Sequence, residues 1–360
     1  MTDHPYNEMP RSDDNQSLFR PVAVGGRGLP GNLALAPMAG ATDGVFRAIC
    51  REQGASLTCT ELVSARGIRH DPGLARSWRY LAITPAEQPV AIQLFGADPD
   101  DFDYAVRAVL EHPILSSAFA IDINMGCPVP KVVGTGAGSA LMRDLPLAAR
   151  VIRSAVAAAS GYGVPVTVKF RTGWDAATAD TPAFARMAEQ SGAAMLMVHA
   201  RTRDMMYAGQ ADWSVITRVK AAVSVPVFGN GDVRDGPSAV AMPRETGADG
   251  AAIGRGALGN PWVFAHAAAA LRGEAPLPPP DVAARAQTAL REVRERAANL
   301  GEARGVRESR KSLLWYLHGT PHAAEIRRRA AVVESLKEVE RLLTDWESSF
   351  FDKNGAVHFT

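Results

Sequence analysis

The segment Ile121-Asp122-Ile123-Asn124-Met125-Gly126-Cys127-Pro128 is a β-rich run that ends in an amide, a glycine and a cysteine locked in front of a proline. A strand that stops this way presents a thiol at its C-terminal end, on a backbone that can bend close to a ligand. With a reference pKa of about 8.5, such a thiol is mostly protonated at neutral pH and can donate a proton. Cys127 is therefore the candidate catalytic residue. The loop that follows, Lys131–Gly138, suits a lid or a phosphate loop better than a tight turn. Cys50 and Cys59 fall inside helix and strand patterns and read as small core hydrophobes. Three cysteines without a C-x-x-C pair make neither a disulfide framework nor a zinc site, so a reducing cytoplasm and no metal are expected.

Other polar residues that could do chemistry also stand at the ends of apolar runs. Strand patterns at 33–37, 57–61, 90–94, 119–124, 165–169, 194–199, 225–229 and 250–254 alternate with amphipathic helical patterns, the first over 43–53. Strands separated by helices imply parallel pairing with right-handed crossovers, and eight such units in one chain imply a (β/α)8 TIM barrel. A doubly wound open sheet is the alternative. In a barrel, functional groups gather where strands end. Those ends hold Pro37, Met38 and Ala39, then Glu61, Gln93, Asn124 with Cys127, Lys169 with Arg171, and His199 with Arg201. The last two hold Asn230-Gly231-Asp232 and Gly254-Arg255-Gly256.

The glycine-rich ends of the last two strands suit a phosphate cradle, with Arg255 as its charged partner. Gly254 to Gly259 also matches G-x-G-x-x-G, but Pro261-Trp262 interrupts the helix that a dinucleotide fold needs, and no acidic strand end follows. Gln93 offers an amide to a pyrimidine-type edge, Lys169 a cation near a carbonyl or a reduced-ring anion, and Met38 an apolar floor. Phosphate, flat ring, amide and lysine together point to flavin mononucleotide (FMN).

The chain is 360 residues long, 47% hydrophobic and 21% charged, with a net charge of +1, which suits a folded protein with a substantial core. No apolar run approaches the roughly 20 residues of a membrane helix, so no membrane association is expected. Residues 1–20 read as a disordered lead-in, 21–272 as the barrel and 273–280 as a stiff proline-rich linker. Residues 281–350 read as a small all-helical domain, with helices at 281–300, 306–318 and 322–347, and 351–360 as a tail. Arg304, Arg307, Arg310 and Lys311 lie on one helical stretch, followed by Trp315, Tyr316 and Arg327-Arg328-Arg329. Positive residues beside aromatics suit phosphates and splayed bases of RNA.

Eight motifs in order resemble the tRNA-dihydrouridine synthase family. They are Ala-Pro-Met-Ala-Gly-Ala-Thr-Asp at 36–43, Gln-Leu-Phe-Gly at 93–96, Asp-Ile-Asn-Met-Gly-Cys-Pro at 122–128 and Gly-Ser-Ala-Leu-Met at 138–142. Val-Lys-Phe-Arg-Thr-Gly-Trp at 168–174, His-Ala-Arg-Thr-Arg at 199–203, Gly-Asn-Gly-Asp at 229–232 and Ile-Gly-Arg-Gly-Ala at 253–257 complete the set. The Asn-Met-Gly-Cys-Pro form is most similar to the bacterial B-type branch, although Val129-Pro130-Lys131 stands where that branch often has two adjacent lysines.

The resemblance implies an FMN barrel with a helical tRNA-binding domain that reduces one tRNA uridine to dihydrouridine with NADPH. It implies that Pro37, Met38, Ala39, Gln93, Lys169, Asn230, Gly231, Asp232, Gly254 and Arg255 hold FMN, with His199 a further flavin contact. Cys127 matches the acid that protonates C5, and Asn124 the residue facing the flipped uracil. Arg171 is placed beside it as a second holder of the carbonyl edges, and the loop after Cys127 becomes a lid. Arg307, Arg310 and Lys311 are the expected tRNA contacts, and a cytoplasmic monomer is expected. The alternatives are an FMN-dependent reductase of a free dihydropyrimidine or enoate, and a binding protein that keeps the barrel without the chemistry. A helical appendage argues against the first, and intact Gln93, Cys127, Lys169 and Arg255 against the second.

Overall fold

In strand β6 (Val90–Phe95), Val90, Ile92 and Leu94 pack outward into the core under the helices, while Ala91 faces the barrel interior. Strand period two puts Gln93 on the same inner side as Ala91. This alternation recurs around a parallel sheet in a computed structural model that describes residues 17–320 and 323–350. The expected lead-in lies outside the described residues apart from its last four positions, and the expected tail lies outside them entirely.

Two antiparallel strands come first, β1 (Val22–Val24) and β2 (Arg27–Leu29). The parallel set is β3 (Leu33–Leu35), β4 (Thr58–Cys59) with a short continuation β5 (Val63–Ser64), β6, β7 (Ala120–Met125), β8 (Val166–Arg171), β9 (Leu196–His199), β10 (Val227–Asn230) and β11 (Gly250–Ile253). Their order is β3-β11-β10-β9-β8-β7-β6-β4. The two ends of that path meet where Ala34 bridges Leu57, with Leu35 N–H donating to the Leu57 carbonyl at 2.8 Å and Ser56 N–H to the Leu33 carbonyl at 2.7 Å. The sheet therefore closes into the expected (β/α)8 barrel, and the open doubly wound alternative drops out.

The β1–β2 hairpin escapes the sequence reading, because two three-residue strands are too short to show a period. It closes the end at which the strands begin. Val22, Val24 and Leu29 pack against the inward residues Ala34, Ala91, Ala120 and Phe228. Arg27 Nη1 donates to the carbonyls of Ala118 and Phe119, just before β7, at 2.8 and 3.1 Å. Only the C-terminal mouth is left for a ligand.

The barrel's last helix, Val263–Arg272, stops at Gly273, and an exposed stretch without regular structure leads to Asp281, which caps the helix Val282–Leu300. Glu302–Tyr316, Ala323–Ala330 and Leu336–Ser348 follow. Where the apolar period suggests one helix over 322–347, the structure has two. The chain breaks at 331–335, because Ser335 accepts from the Glu338 N–H and starts a new helix. The second helix also begins earlier than its expected start at 306, directly after Gly301.

The helical domain has its own core around Val293, Val306, Leu313, Leu342 and Trp346. It docks on the barrel through a buried polar cluster. Arg296 donates to Asp43 at 2.5 Å, to Glu292 at 2.8 Å, and to the hydroxyls of Ser309 and Ser312 at 2.9 and 3.2 Å. The Tyr316 hydroxyl donates to the other Glu292 oxygen at 2.9 Å. Asp43 also caps the first barrel helix, Gly44–Glu52, through the Phe46 N–H, so one carboxylate serves both domains.

Gly259, the last glycine of G-x-G-x-x-G, explains itself here. Its φ is +65°, and a Cβ there would lie 2.4 Å from the Trp315 carbonyl carbon, a backbone atom of the helical domain. Gly256 likewise lies against the backbone of Val233 and Arg234. The motif thus records close backbone packing and not a dinucleotide turn. Gly259→Ala is expected to lower stability by about 2–3 kcal/mol through overpacking and a strained φ, as read by thermal or urea unfolding. A loss below about 0.5 kcal/mol would show that the two domains do not pack as described.

Candidate active site

A chain of hydrogen bonds across β6, β7 and β8 leads to the thiol. Asp122, 4% exposed, accepts from Thr167 Oγ1 at 2.6 Å and from Gln93 Nε2 at 2.7 Å. Gln93 Oε1 in turn accepts from Asn124 Nδ2 at 2.8 Å, and Asn124 Oδ1 accepts from the N–H groups of Gly126 at 3.2 Å and Cys127 at 2.9 Å. The register makes this possible, since Gln93 lies beside Asp122 and Asp122 beside Thr167. Asp122 is a functional residue that the sequence reading passed over. Its signal is its place two residues before Asn124, which puts both on one face of the strand.

Cys127 is half-buried at the mouth, and its carbonyl accepts from the N–H and the hydroxyl of Ser139 at 3.1 and 3.0 Å. The segment expected to be a lid or a phosphate loop is therefore tied back to the Cys127 backbone. It contains one helical turn, Pro130–Val133, and a 3-10 stretch, Gly138–Arg143. Burial pushes the Cys127 thiol up, against the opposing pull of the Val129 N–H, Arg171 and Lys169. It is a protonated acid at neutral pH. Cys50 and Cys59 lie in the core, and burial drives both well above the ordinary thiol range.

Cations crowd the same mouth. Lys169, half-buried, reaches Asn230 Oδ1 at 3.3 Å, and burial with the Arg171 charge pulls it down to about 8. Asn230 Nδ2 donates to the Ala252 carbonyl at 2.8 Å. His199 is pulled down to about 2 by burial and then by Lys169, Arg171, Arg201 and Arg255, so its ring is neutral.

Arg171 Nε donates to the Gly126 carbonyl at 2.9 Å and its Nη1 to the carbonyls of Thr202 and Met206 at 2.9 and 2.8 Å. It fastens the Cys127 strand end to the next loop and interacts with the Tyr207 hydroxyl as well. Arg201 donates to the carbonyls of Ala208 and Gly209 and to both Asp232 oxygens at 2.9 and 2.8 Å, while its Nη1 is buried with no partner among the described residues. Asp232 also accepts from the Ala211 N–H at 2.8 Å and lies 3.7 Å from Arg255. It braces two arginines. Tyr207, a second residue missed in the sequence, is 53% exposed, with the guanidinium groups of Arg171 and Arg255 each 5.5 Å from its ring centre.

The first βα loop completes the rim. Met38 N–H and carbonyl are both bound to the Thr42 hydroxyl, and Met38 Sδ lies 3.7 Å from where a Gly254 side chain would begin. Gly40 N–H donates to Glu61 at 2.6 Å, and Glu61 is raised by burial in spite of it. Lys311 comes from the helical domain, its Nζ 2.8 Å from the position a Cβ on Gly40 would take. Arg307 is exposed, but Arg310 donates to the carbonyls of Val333 and Val332 at 2.9 and 3.4 Å. Of the three expected tRNA contacts, which share one face of the helix, Arg310 is already hydrogen-bonded to the chain, while Arg307 and Lys311 are exposed.

The donor set fits a flavin phosphate ester. Lys169, Arg171, Arg201 and Arg255 converge on the mouth, one arginine nitrogen is buried without a partner among the described residues, and Gly254 faces the uncharged side chains of Met38 and Ala36. Among the described residues, no cluster of His, Cys, Asp or Glu could hold a metal ion, and no helix is long and apolar enough to cross a membrane.

The dihydrouridine synthase family model matches residues 34–352. The chain is 41% identical over 296 residues to tRNA-dihydrouridine synthase B of Xanthomonas campestris pv. campestris, covering 81% of this chain and 86% of the relative. It is 39% identical over 313 residues to the protein of the same description from Pseudomonas putida, covering 87% and 90%. The fold is similar to that of 6-hydroxypseudooxynicotine amine oxidase from Pseudomonas geniculata, with TM-score 0.55 and 15% identity over 72% of this chain and 50% of that one.

A thiol that is accessible but raised should react slowly with an alkylating agent at neutral pH. Iodoacetamide on the folded protein is expected to label Cys127 alone, with a rate that still climbs past the ordinary thiol value of about 8.5. Peptide mass spectrometry over a pH series checks this. A plateau below pH 8, or equal labelling of Cys59, would contradict the environment described.

Proposed function

The chain belongs to the dihydrouridine synthase family, and on that premise we propose that it reduces the C5=C6 bond of one uridine in tRNA, with FMN as its cofactor and NADPH as the reductant. The observation that carries this reading is the thiol of Cys127, protonated and held at the barrel mouth by the Asn124 amide. Pro37, Met38, Ala39, Gln93, Lys169, His199, Asn230, Gly231, Gly254 and Arg255 would hold the flavin, with Asp232 bracing Arg201 and Arg255 behind it. Bound there, the flavin supplies a hydride to C6 of the uracil ring.

The chain's own residues do the rest. A uracil inside folded tRNA must leave its stack at a cost of roughly a few kcal/mol before it can enter the mouth. Hydride addition at C6 places negative charge on C5 and the C4 carbonyl. The Cys127 thiol delivers its proton to C5, so hydride and proton together saturate the bond, and the thiolate then recovers a proton from solvent. Asn124 retains one amide hydrogen beyond its structural bond, and it and the Arg171 guanidinium are proposed to hold the uracil carbonyl edges. Pre-positioning supports the acid role. Asn124 fixes the backbone on one side of Cys127 and Ser139 on the other, so the thiol need not be ordered when substrate arrives.

Neutral His199 contributes no charge to this chemistry at working pH, whereas Lys169, pulled down to about 8, is already losing its charge as pH rises from neutral through 8. Exposed Arg307 and Lys311 are proposed to meet tRNA phosphates from the helical domain, with Arg310 holding the turn behind them.

Cys127→Ala is expected to keep bound flavin and NADPH oxidation but to lose dihydrouridine formation by about 10²-fold or more. Nucleoside mass spectrometry on tRNA reads this, and free uridine in a parallel reaction distinguishes the small-molecule alternative. Full activity of the variant would remove Cys127 from the proton transfer. Arg307→Gln with Lys311→Gln should weaken tRNA binding and flatten its salt dependence by about 1.5 in log–log slope while flavin is retained. An unchanged slope would move the grip elsewhere.

A further inference from the structure

Some arginines near the mouth are tied down and others are not. Arg171 and Arg201 each give their N–H groups to several carbonyls, and Arg201 also to Asp232. Among the described residues, the Arg143 and Arg203 side chains make no such bond. Both instead lie on one indole, with their guanidinium carbons 4.8 and 4.6 Å from the Trp174 ring centre. Arg203 Nε is buried and without a partner among the described residues, and Arg143 is exposed. Asp175 lies near enough to feel the Arg143 charge, but among the described residues neither arginine forms an ion pair, and the nearest carboxylates in sequence have other partners. Asp175 accepts from the Thr178 N–H and hydroxyl at 2.8 and 2.7 Å, Asp204 from the Thr202 hydroxyl and the Met205 N–H, and Asp144 caps the next helix through the Leu147 N–H.

The three residues come from three neighbouring loops of the catalytic mouth. Arg143 ends the 3-10 stretch that follows Cys127, Trp174 follows β8, and Arg203 follows β9. Two backbone bonds fasten the last two loops together, Arg203 N–H to the Gly173 carbonyl at 2.9 Å and Asp204 N–H to the Trp174 carbonyl at 3.2 Å. The indole holds the charges in place without using their hydrogen-bonding edges. A guanidinium stacked on an aromatic face keeps its planar fork of donors free, and that fork matches a phosphate.

We propose that Arg143, Trp174 and Arg203 form a phosphodiester-binding ledge on the barrel itself, a second grip on the tRNA whose uridine enters the mouth. It rests on the tRNA reading and adds a contact outside the helical domain. Two separate cations suit successive backbone phosphates of a polynucleotide better than the single ribose phosphate of NADPH. Gripping the RNA on both sides of the mouth also resists the tilt that one grip would allow, which matters when one base must be delivered to one thiol.

The test uses the flavin-loaded enzyme and unmodified tRNA. Arg143→Gln/Arg203→Gln is expected to raise the tRNA Kd roughly tenfold at moderate salt and to lower the log–log salt slope by about 1.5, since each lost phosphate contact removes about 0.7–0.9. Flavin content and NADPH oxidation by oxygen should stay at wild-type values. Arg143→Gln alone, at an exposed position, should lower the slope by about 0.7–0.9 and decides the matter if the double variant does not fold. Unchanged tRNA affinity and slope in a flavin-loaded variant overturn the ledge. So does a raised KM for NADPH with tRNA affinity intact, which would make it a reductant site. Dihydrouridine formation by the wild-type enzyme is scored in the same series, so a failure of the activity itself is told apart from a failure of the ledge.

Discussion

A carboxylate with almost no solvent exposure, Asp122, anchors the chemistry of this barrel. Burial raises it, while Gln93, Thr167 and the Lys169 charge favour its ionised form. A buried polar group without partners costs about 1–3 kcal/mol, and here each acceptor is met by a donor on an adjacent strand. The consequence travels in one direction. Asp122 orients the Gln93 amide, Gln93 orients Asn124, and Asn124 holds the peptide N–H of Cys127. The position of a thiol at the mouth is thereby set by three strands in the floor, and rigid strands hold such geometry better than loops do.

The arginines around this floor separate into two kinds. Arg171 and Arg201 are nearly buried and give their hydrogens to loop carbonyls, so they act as fasteners that shape the mouth. Arg143 and Arg203 lean on one indole and keep donors free, while Arg255 lies over the Tyr207 ring with only long contacts to Asp232 and the Tyr207 carbonyl. Net charge conceals this arrangement, since a chain of +1 can still concentrate positive potential on one face. The β1–β2 hairpin reinforces the polarity by filling the opposite end with Val22, Val24 and Leu29.

The second domain is joined to the first by polar chemistry as well as by packing. Arg296 would be costly to bury alone, and Glu292, Asp43, Ser309 and Ser312 together offset that cost. Because Asp43 follows the Pro37–Gly40 loop and caps the helix behind it, the orientation of the helical domain is coupled to the loop proposed to lie beside the flavin. Lys311 closes the same junction near Gly40 and Glu61.

Strand and helix periods are local properties, and they were enough to determine the eight-fold barrel and the helical appendage; eight short motifs in order carried the family, and a strand end singled out Cys127 as the candidate. They did not reveal the hairpin plug, whose strands are too short to show a period, or the break at 331–335, where a serine cap outweighs a continuing apolar pattern. Nor did they separate Arg310, which holds the carbonyls of Val332 and Val333, from exposed Arg307. Partnership decides whether an arginine is a fastener or a ligand contact, and its partners lie dozens of residues away. The same holds for Asp122, Tyr207, Trp174 and the reason for Gly259. Sequence spacing determined which groups stand at the mouth. Only the closed tertiary structure decided which of them are already hydrogen-bonded and which remain free to bind.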